Sequence, residues 1–122
     1  MLQGSCACGA VAFSVDGPVQ GASVCHCVQC RKMSGHQWAS AYASQAAVDI
    51  RGPLRWVNLS ASAKRGICAQ CGAFLFWKAH AEDTMSFALG ALDGDTGLLL
   101  EKHIFTAERG DYYDIADGLI QK

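Results

Sequence analysis

The chain has 122 residues, seven cysteines and a formal net charge of −1, and 51% of its residues are hydrophobic. This length suits one domain over residues 1–122, and no basic run exceeds the pairs 31–32 and 64–65, so we expect no nucleic-acid partner. No apolar run could span a bilayer and the first residues lack a signal-peptide pattern, so we expect a cytoplasmic protein without membrane attachment.

Short strand-like segments separated by turn residues occupy most of the chain. Hydrophobic residues alternate with small or polar ones over 11–15, and Gly17-Pro18 ends that strand. The segment 28–34, followed by Gly35, predicts a short helix, and a second helical turn is expected near 107–113. Six further strands are predicted at 38–43, 48–52, 54–59, 73–77, 84–89 and 98–105. This pattern predicts a mainly β fold with antiparallel sheets.

The seven cysteines lie in three groups whose spacing is typical of metal ligands. Cys6 and Cys8 form a C-x-C pair, and C-x-x-C at 68–71 is followed by a glycine that relieves the backbone. The segment CHCVQC places Cys25, Cys27 and Cys30 within six residues, and no fourth ligand is evident nearby. Thiols persist in a reducing compartment and an odd number cannot all pair, so metal binding is favoured over disulfides.

Spacing alone allows two assignments of these ligands. In a zinc-ribbon arrangement, the pairs 27/30 and 68/71 would share one ion and leave three thiols free. The other arrangement combines Cys6, Cys8, Cys68 and Cys71 in a closed site and leaves Cys25, Cys27 and Cys30 around a second ion. Physical reasoning favours the second, because it uses every cysteine and leaves an open coordination position, as in catalytic zinc sites. A thiol-disulfide redox role lacks the expected α/β context.

The motifs GSCACGAVAFSV, CHCVQCRKMSG, CAQCG, HIF and DGL together resemble those of the glutathione-dependent formaldehyde-activating enzyme family, over residues 4–119. The resemblance implies an Mss4-like fold stabilised by zinc, with two zinc ions per chain. It implies a structural zinc at Cys6, Cys8, Cys68 and Cys71 and a catalytic zinc at Cys25, Cys27 and Cys30. The activity implied is carbon–sulfur lyase chemistry, in which glutathione, a small thiol, adds to formaldehyde, a small aldehyde, to give S-hydroxymethylglutathione.

Three histidines, two tyrosines and a basic pair are the other polar residues of interest. His26 is expected beside the ligands or on the surface, and His36 is either a general acid or base or an ordinary loop residue. His103 and the pair Tyr112-Tyr113 are interpreted as structural. The basic pair 31–32 is the nearest candidate to bind a glutathione carboxylate or to offset the charge of three thiolates on zinc.

The sequence is compatible with two functions. The first is the zinc-dependent enzyme just described. The second is a non-catalytic, zinc-stabilised β-module that binds a protein partner, by analogy with the binding protein that gives the fold its name. The sequence leaves the oligomeric state open, including a homodimer.

Overall fold

The computed structural model describes residues 1–122 and consists of two β-sheets, one α-helix and three short 3₁₀ turns. The eleven strands are β1 (Leu2–Ser5), β2 (Ala12–Val15), β3 (Gln20–Cys25), β4 (Trp38–Ser44), β5 (Val48–Arg51), β6 (Leu54–Val57), β7 (Ala63–Cys68), β8 (Phe74–Ala79), β9 (Thr84–Ala88), β10 (Lys102–Ile104) and β11 (Ile120–Gln121). The helix α1 spans Val28–Ser34, and the 3₁₀ turns span Gln45–Ala47, Leu89–Ala91 and Thr106–Glu108. No helix has the length and apolar character of a membrane span.

The two sheets differ in size. The smaller has the order β1-β2-β5 and the larger has the order β11-β10-β3-β4-β9-β8-β7-β6. Most strand pairs are antiparallel, but β10 runs parallel to both β3 and β11. The predicted mainly β class is therefore confirmed, with mixed pairing at one end of the large sheet.

The main core lies between the small sheet and one face of the large sheet. Phe13 of β2 meets Phe76 of β8 edge to face, with ring centroids 4.9 Å apart, and Phe87 of β9 lies close by. All three rings are fully buried. Because strand side chains alternate between faces, the residues on either side of each core position point to the opposite face of the large sheet.

That opposite face carries a continuous row of side chains across the large sheet. Tyr42, Ser86, Trp77 and Arg65 are register neighbours on β4, β9, β8 and β7, and all four line one cavity. A register shift between Gly66 and Ile67 lets β8 keep Leu75 and Phe76 in the main core while Phe74 and Trp77 join the cluster on the cavity side. The bulge thus lets β8 contribute large side chains to both faces of the sheet.

The sequence predicted some elements and missed others. The helix at 28–34 is confirmed, with Cys27 at its N-cap and Gly35 in the left-handed conformation at its end. Of the segment 98–105, only Lys102–Ile104 is a strand, and the second helical turn lies at Thr106–Glu108 instead of 107–113. Strands β1, β3, β7 and β11 were not predicted, because glycine, polar or charged residues interrupt their hydrophobic pattern.

Candidate metal centre

Four cysteines from two distant segments converge next to the main core. Cys6 follows β1, Cys8 lies in the next turn, Cys68 ends β7 and Cys71 lies in the turn before β8. Their sulfurs all lie within 4.8 Å of one another, and the Cys6–Cys8 and Cys8–Cys68 sulfur distances are 3.6 and 3.8 Å. Two thiolates bonded to one tetrahedral zinc at 2.3 Å would lie about 3.8 Å apart. These two distances match that value, so the cluster is suited to hold zinc.

Backbone N–H groups point at the buried sulfurs of this cluster. The N–H of Val11 donates to Cys6 Sγ over 3.2 Å, and the N–H groups of Gln70 and Cys71 donate to Cys68 Sγ over 3.4 Å each. Burial acts to raise the pKa of the Cys6 thiol, but the Val11 hydrogen bond and the neighbouring thiols lower it to about 6. These donors favour thiolates, which are the form that binds zinc.

The other three cysteines converge at the junction of β3 and α1. Cys25 is the last residue of β3, Cys27 caps α1 and Cys30 lies in its first turn. Their sulfurs lie within 4.8 Å of one another, and Cys27 Sγ accepts a hydrogen bond from the Cys30 N–H over 3.3 Å. No histidine or carboxylate joins this cluster. All seven cysteines are free thiols.

The thiols of Cys25 and Cys30 in the three-cysteine cluster have pKa values shifted in opposite directions. A hydrogen bond from the Cys30 thiol is the main factor that lowers the pKa of Cys25 to about 6, with smaller help from Cys27 and the positive charge of Arg65. The same hydrogen bond between Cys25 and Cys30 raises the pKa of Cys30, because a second thiolate beside the Cys25 thiolate is unfavourable in a buried position. A divalent cation bound there would displace that remaining proton.

A cavity of about 660 Å³ opens from the three-cysteine cluster along the free face of the large sheet. Its lining includes hydroxyl groups from Ser23, Ser40 and Ser86 and the aromatic side chains of Trp38, Tyr42 and Trp77. Cys25 and Cys30 are buried, whereas Cys27 is partly exposed toward this space. All three cysteines line the cavity, so a ligand in it could reach the cluster.

A family model for the glutathione-dependent formaldehyde-activating enzymes matches residues 1–108, which include all seven cysteines. The chain belongs to this family. Membership supports a function of the formaldehyde-activating kind at the family level, and the two cysteine clusters fit the zinc binding expected of it.

A comparison with solved structures supports the fold. The chain is similar to a crystal structure of a Rhodobacter sphaeroides protein that was a structural-genomics target, with a TM-score of 0.63 and 24% sequence identity. The similarity covers 78% of this chain and 91% of that protein. A search of curated proteins gives no significant match. At this level of identity the likeness establishes the fold alone.

His26 lies between two cysteines of the family motif but faces a buried polar network. Its Nδ1 lies 2.5 Å from the Tyr113 hydroxyl, and its Nε2 lies 2.9 Å from Nδ1 of His103. His103 Nε2 lies 2.7 Å from the Asp117 carboxylate. Because an ionised carboxylate only accepts, each ring donates through Nε2 and accepts through Nδ1. The surface alternative for His26 is wrong, since it is fully buried.

The sequence did not identify the residues that complete this network. Tyr113 and Asp117 come from the C-terminal segment, which has no helical or strand periodicity, so no local pattern indicates their contact with His26. Burial lowers the pKa of His26, and the nearby histidines contribute further. A neutral, hydrogen-bonded His26 thus ties the ligand loop to β10 and to the C-terminal segment.

The other polar residues singled out from sequence lie outside the cavity. His36 is exposed, and its ring contacts the Tyr112 hydroxyl at 2.7 Å and the Gln37 amide at 2.9 Å. Arg31 donates through Nε to the backbone oxygen of Glu108 over 3.1 Å. The cations that do line the cavity are Arg65 and Lys102, neither of which the sequence singled out.

Proposed function

We propose that this protein is a zinc-dependent carbon–sulfur lyase or synthase that makes or breaks the adduct of a small thiol with a small aldehyde. Two zinc ions per chain are proposed. Cys6, Cys8, Cys68 and Cys71 would hold a structural ion, and Cys25, Cys27 and Cys30 would hold a catalytic one. The observation that carries the proposal is that only three sulfurs converge in the second cluster, at the end of a cavity. Three protein ligands leave a position for substrate.

A zinc ion at the three-cysteine cluster would lower the pKa of a substrate thiol and polarise an aldehyde oxygen. In the synthetic direction, the sulfur lone pair forms a bond to the aldehyde carbon and the carbonyl π electrons move to oxygen. The thiol loses one proton and that oxygen gains one, so the step is balanced. The product is the S-hydroxymethyl adduct, a hemithioacetal. The lyase direction reverses these steps.

The residues around the cluster support this chemistry by positioning and by excluding water. The Cys30 N–H holds the Cys27 sulfur at the N-terminus of α1, and the His26 network fixes the loop between Cys25 and Cys27. Trp38 stacks on Phe74 with ring centroids 4.1 Å apart, which forms an apolar floor beside Cys25 and Cys30. Glutathione and formaldehyde are the proposed substrates, on the basis of family membership. A cytoplasmic location is proposed because thiolate ligands persist in a reducing compartment.

The test is the rate of adduct exchange, because glutathione and formaldehyde also combine without a catalyst. NMR exchange spectroscopy with ¹³C-formaldehyde and glutathione measures that rate with and without the reduced, zinc-loaded protein. We expect acceleration by the wild type and none by Cys27→Ser, while exposed His80→Ala serves as the control. Equal exchange rates with wild-type protein and with buffer would contradict the proposal and favour the non-catalytic module.

A further inference from the structure

We infer that Arg65 is the anion-binding residue of the cavity, and that it selects a thiol substrate that carries a carboxylate. This inference rests on the proposed function for the identity of the reacting group. The anion site itself depends only on the burial and surroundings of the arginine.

The Arg65 side chain is buried without partners. It lies in the middle of β7, is 4% exposed and lines the cavity. Its Nε and Nη1 atoms are inaccessible to solvent and have no hydrogen-bond partner. Buried polar groups in folded proteins are almost always hydrogen-bonded, and a buried charge is normally paired. An unpaired guanidinium inside a binding cavity therefore indicates a site for an anionic ligand.

No acidic side chain of the protein neutralises this arginine. The two ion pairs of the structure are Arg51–Asp49 and His103–Asp117, and neither involves Arg65. Glu108 is the single carboxylate that lines the cavity, and its Oε1 accepts a hydrogen bond from the N–H of Val28. A guanidinium presents N–H donors in a planar fork that matches the two oxygens of a carboxylate.

The two basic residues in the middle of β7, Lys64 and Arg65, lie on opposite faces of the large sheet. Lys64 points to the other face of the sheet, where its Nζ lies 4.3 Å from the centroid of the Trp56 ring. Arg65 instead shares a register row with Trp77 and Ser86 on the cavity face. The two basic residues thus have different surroundings, although they are adjacent in sequence.

The same cavity contains the three-cysteine cluster, so one ligand could contact both ends. Arg65, Cys25, Cys27 and Cys30 all line this cavity. A thiol that also bears a carboxylate would place sulfur at the cluster and its anion on Arg65, in a cavity that serine hydroxyls also line. Glutathione belongs to this class, as does any other thiol acid of suitable length.

A rival role for Arg65 is to offset the negative charge of a zinc ion with three thiolates. The two roles predict different ligand dependence. A charge-offsetting arginine would matter equally for anionic and neutral thiols, whereas an anion-binding arginine matters for the carboxylate alone. Comparing glutathione with its diethyl ester separates them, because esterification removes the carboxylates and keeps the thiol.

The experiment is calorimetric titration of zinc-loaded wild type, Arg65→Gln, Arg65→Lys and the control Arg55→Gln, an exposed arginine outside the cavity. We expect Arg65→Gln to weaken glutathione binding about ten- to a hundredfold and to change ester binding less than about twofold. Arg65→Lys should retain part of the affinity, and Arg55→Gln should match wild type. Equal weakening for glutathione and the ester, or none for either, would overturn the inference.

Titration with S-methylglutathione separates this inference from the proposed function, because this ligand retains both carboxylates and has no thiol. We expect it to bind wild type and to bind Arg65→Gln more weakly. That result, together with absent exchange activity, would contradict the lyase proposal and still support the anion site. If Arg65→Gln does not fold, a wild-type preference for glutathione over the diethyl ester still tests the site, and no preference contradicts it. Failure of wild type to bind S-methylglutathione contradicts it too.

Discussion

Nε2 of His26 lies 2.9 Å from Nδ1 of His103, and this contact joins the cysteine loop to strand β10. Both rings are buried. Hydrogen-bonded groups behind metal ligands commonly fix the orientation of those ligands, and their loss weakens metal binding. The backbone N–H of His26 also donates to the Ile104 oxygen over 3.1 Å, so the loop is anchored through both backbone and side chain.

Replacing His103 by alanine should weaken both the fold and the second metal site. The change leaves His26 Nε2 without its partner in a buried position and opens a cavity, at a cost of about 2–4 kcal/mol in the free energy of unfolding. Zinc affinity at the three-cysteine cluster should fall about ten- to a hundredfold. Urea unfolding and competition with a chelator measure the two effects, and exposed His80→Ala should change neither.

The carboxylate of Asp117 should make stability depend on pH in the acidic range. The His103 N–H is the main cause that holds the pKa of Asp117 below its usual value of 3.8, and the Leu119 N–H contributes. Because the pKa of Asp117 is lower in the folded state, its ionised carboxylate adds to the free energy of unfolding at pH values above 3.8. That stabilisation is lost as the pH falls through the pKa of the folded state. Urea unfolding of Asp117→Asn between pH 3 and 6 should therefore show a smaller loss of stability on acidification than wild type. Parallel curves for the two proteins would contradict this role.

Glycine at position 52 is required where the chain passes the four-cysteine cluster. Gly52 has φ +105°, and an added Cβ would lie 2.1 Å from the backbone oxygen of Ala10. The next residue, Val11, donates its N–H to Cys6 Sγ, so the clash would disturb that donor. We expect Gly52→Ala to destabilise the protein by more than about 2 kcal/mol. Gly90→Ala, with open space around it, is the control in thermal unfolding and should be nearly neutral.

Loss of one ligand from the four-cysteine cluster should unfold or severely destabilise the protein. Cys68 is fully buried, ends β7 and brings the N-terminal turn against the large sheet. Metal-binding free energy at such a site contributes directly to folding. Circular dichroism of Cys68→Ser should show a melting temperature far below that of wild type. A normal melting temperature would rule out a structural role for this cluster.

The local C-x-C and C-x-x-C spacings predicted which cysteines act together within a segment but left two groupings of the segments open, and we favoured the grouping that uses every cysteine. The structure brings together Cys6, Cys8, Cys68 and Cys71, and separately Cys25, Cys27 and Cys30, so the ribbon alternative does not describe this fold. The role of each cluster stays a prediction.

Contacts between distant segments were not predictable in the same way. Nothing in the segment AKRGIC marks Arg65 as buried, because its burial depends on the pairing of β7 with β6 and β8. The partners of His26 come from residues 103–117, which β10 brings into place by parallel pairing with β3. Neither relationship has a local signature.

Zinc stoichiometry in reduced wild type and Cys27→Ser tests the central claim most directly. We expect two zinc ions per wild-type chain, one of which a competing chelator removes readily, and one tightly held ion in a folded Cys27→Ser variant. A single ion in both proteins, held with equal strength, would contradict the claim that three cysteines bind a second, exchangeable zinc.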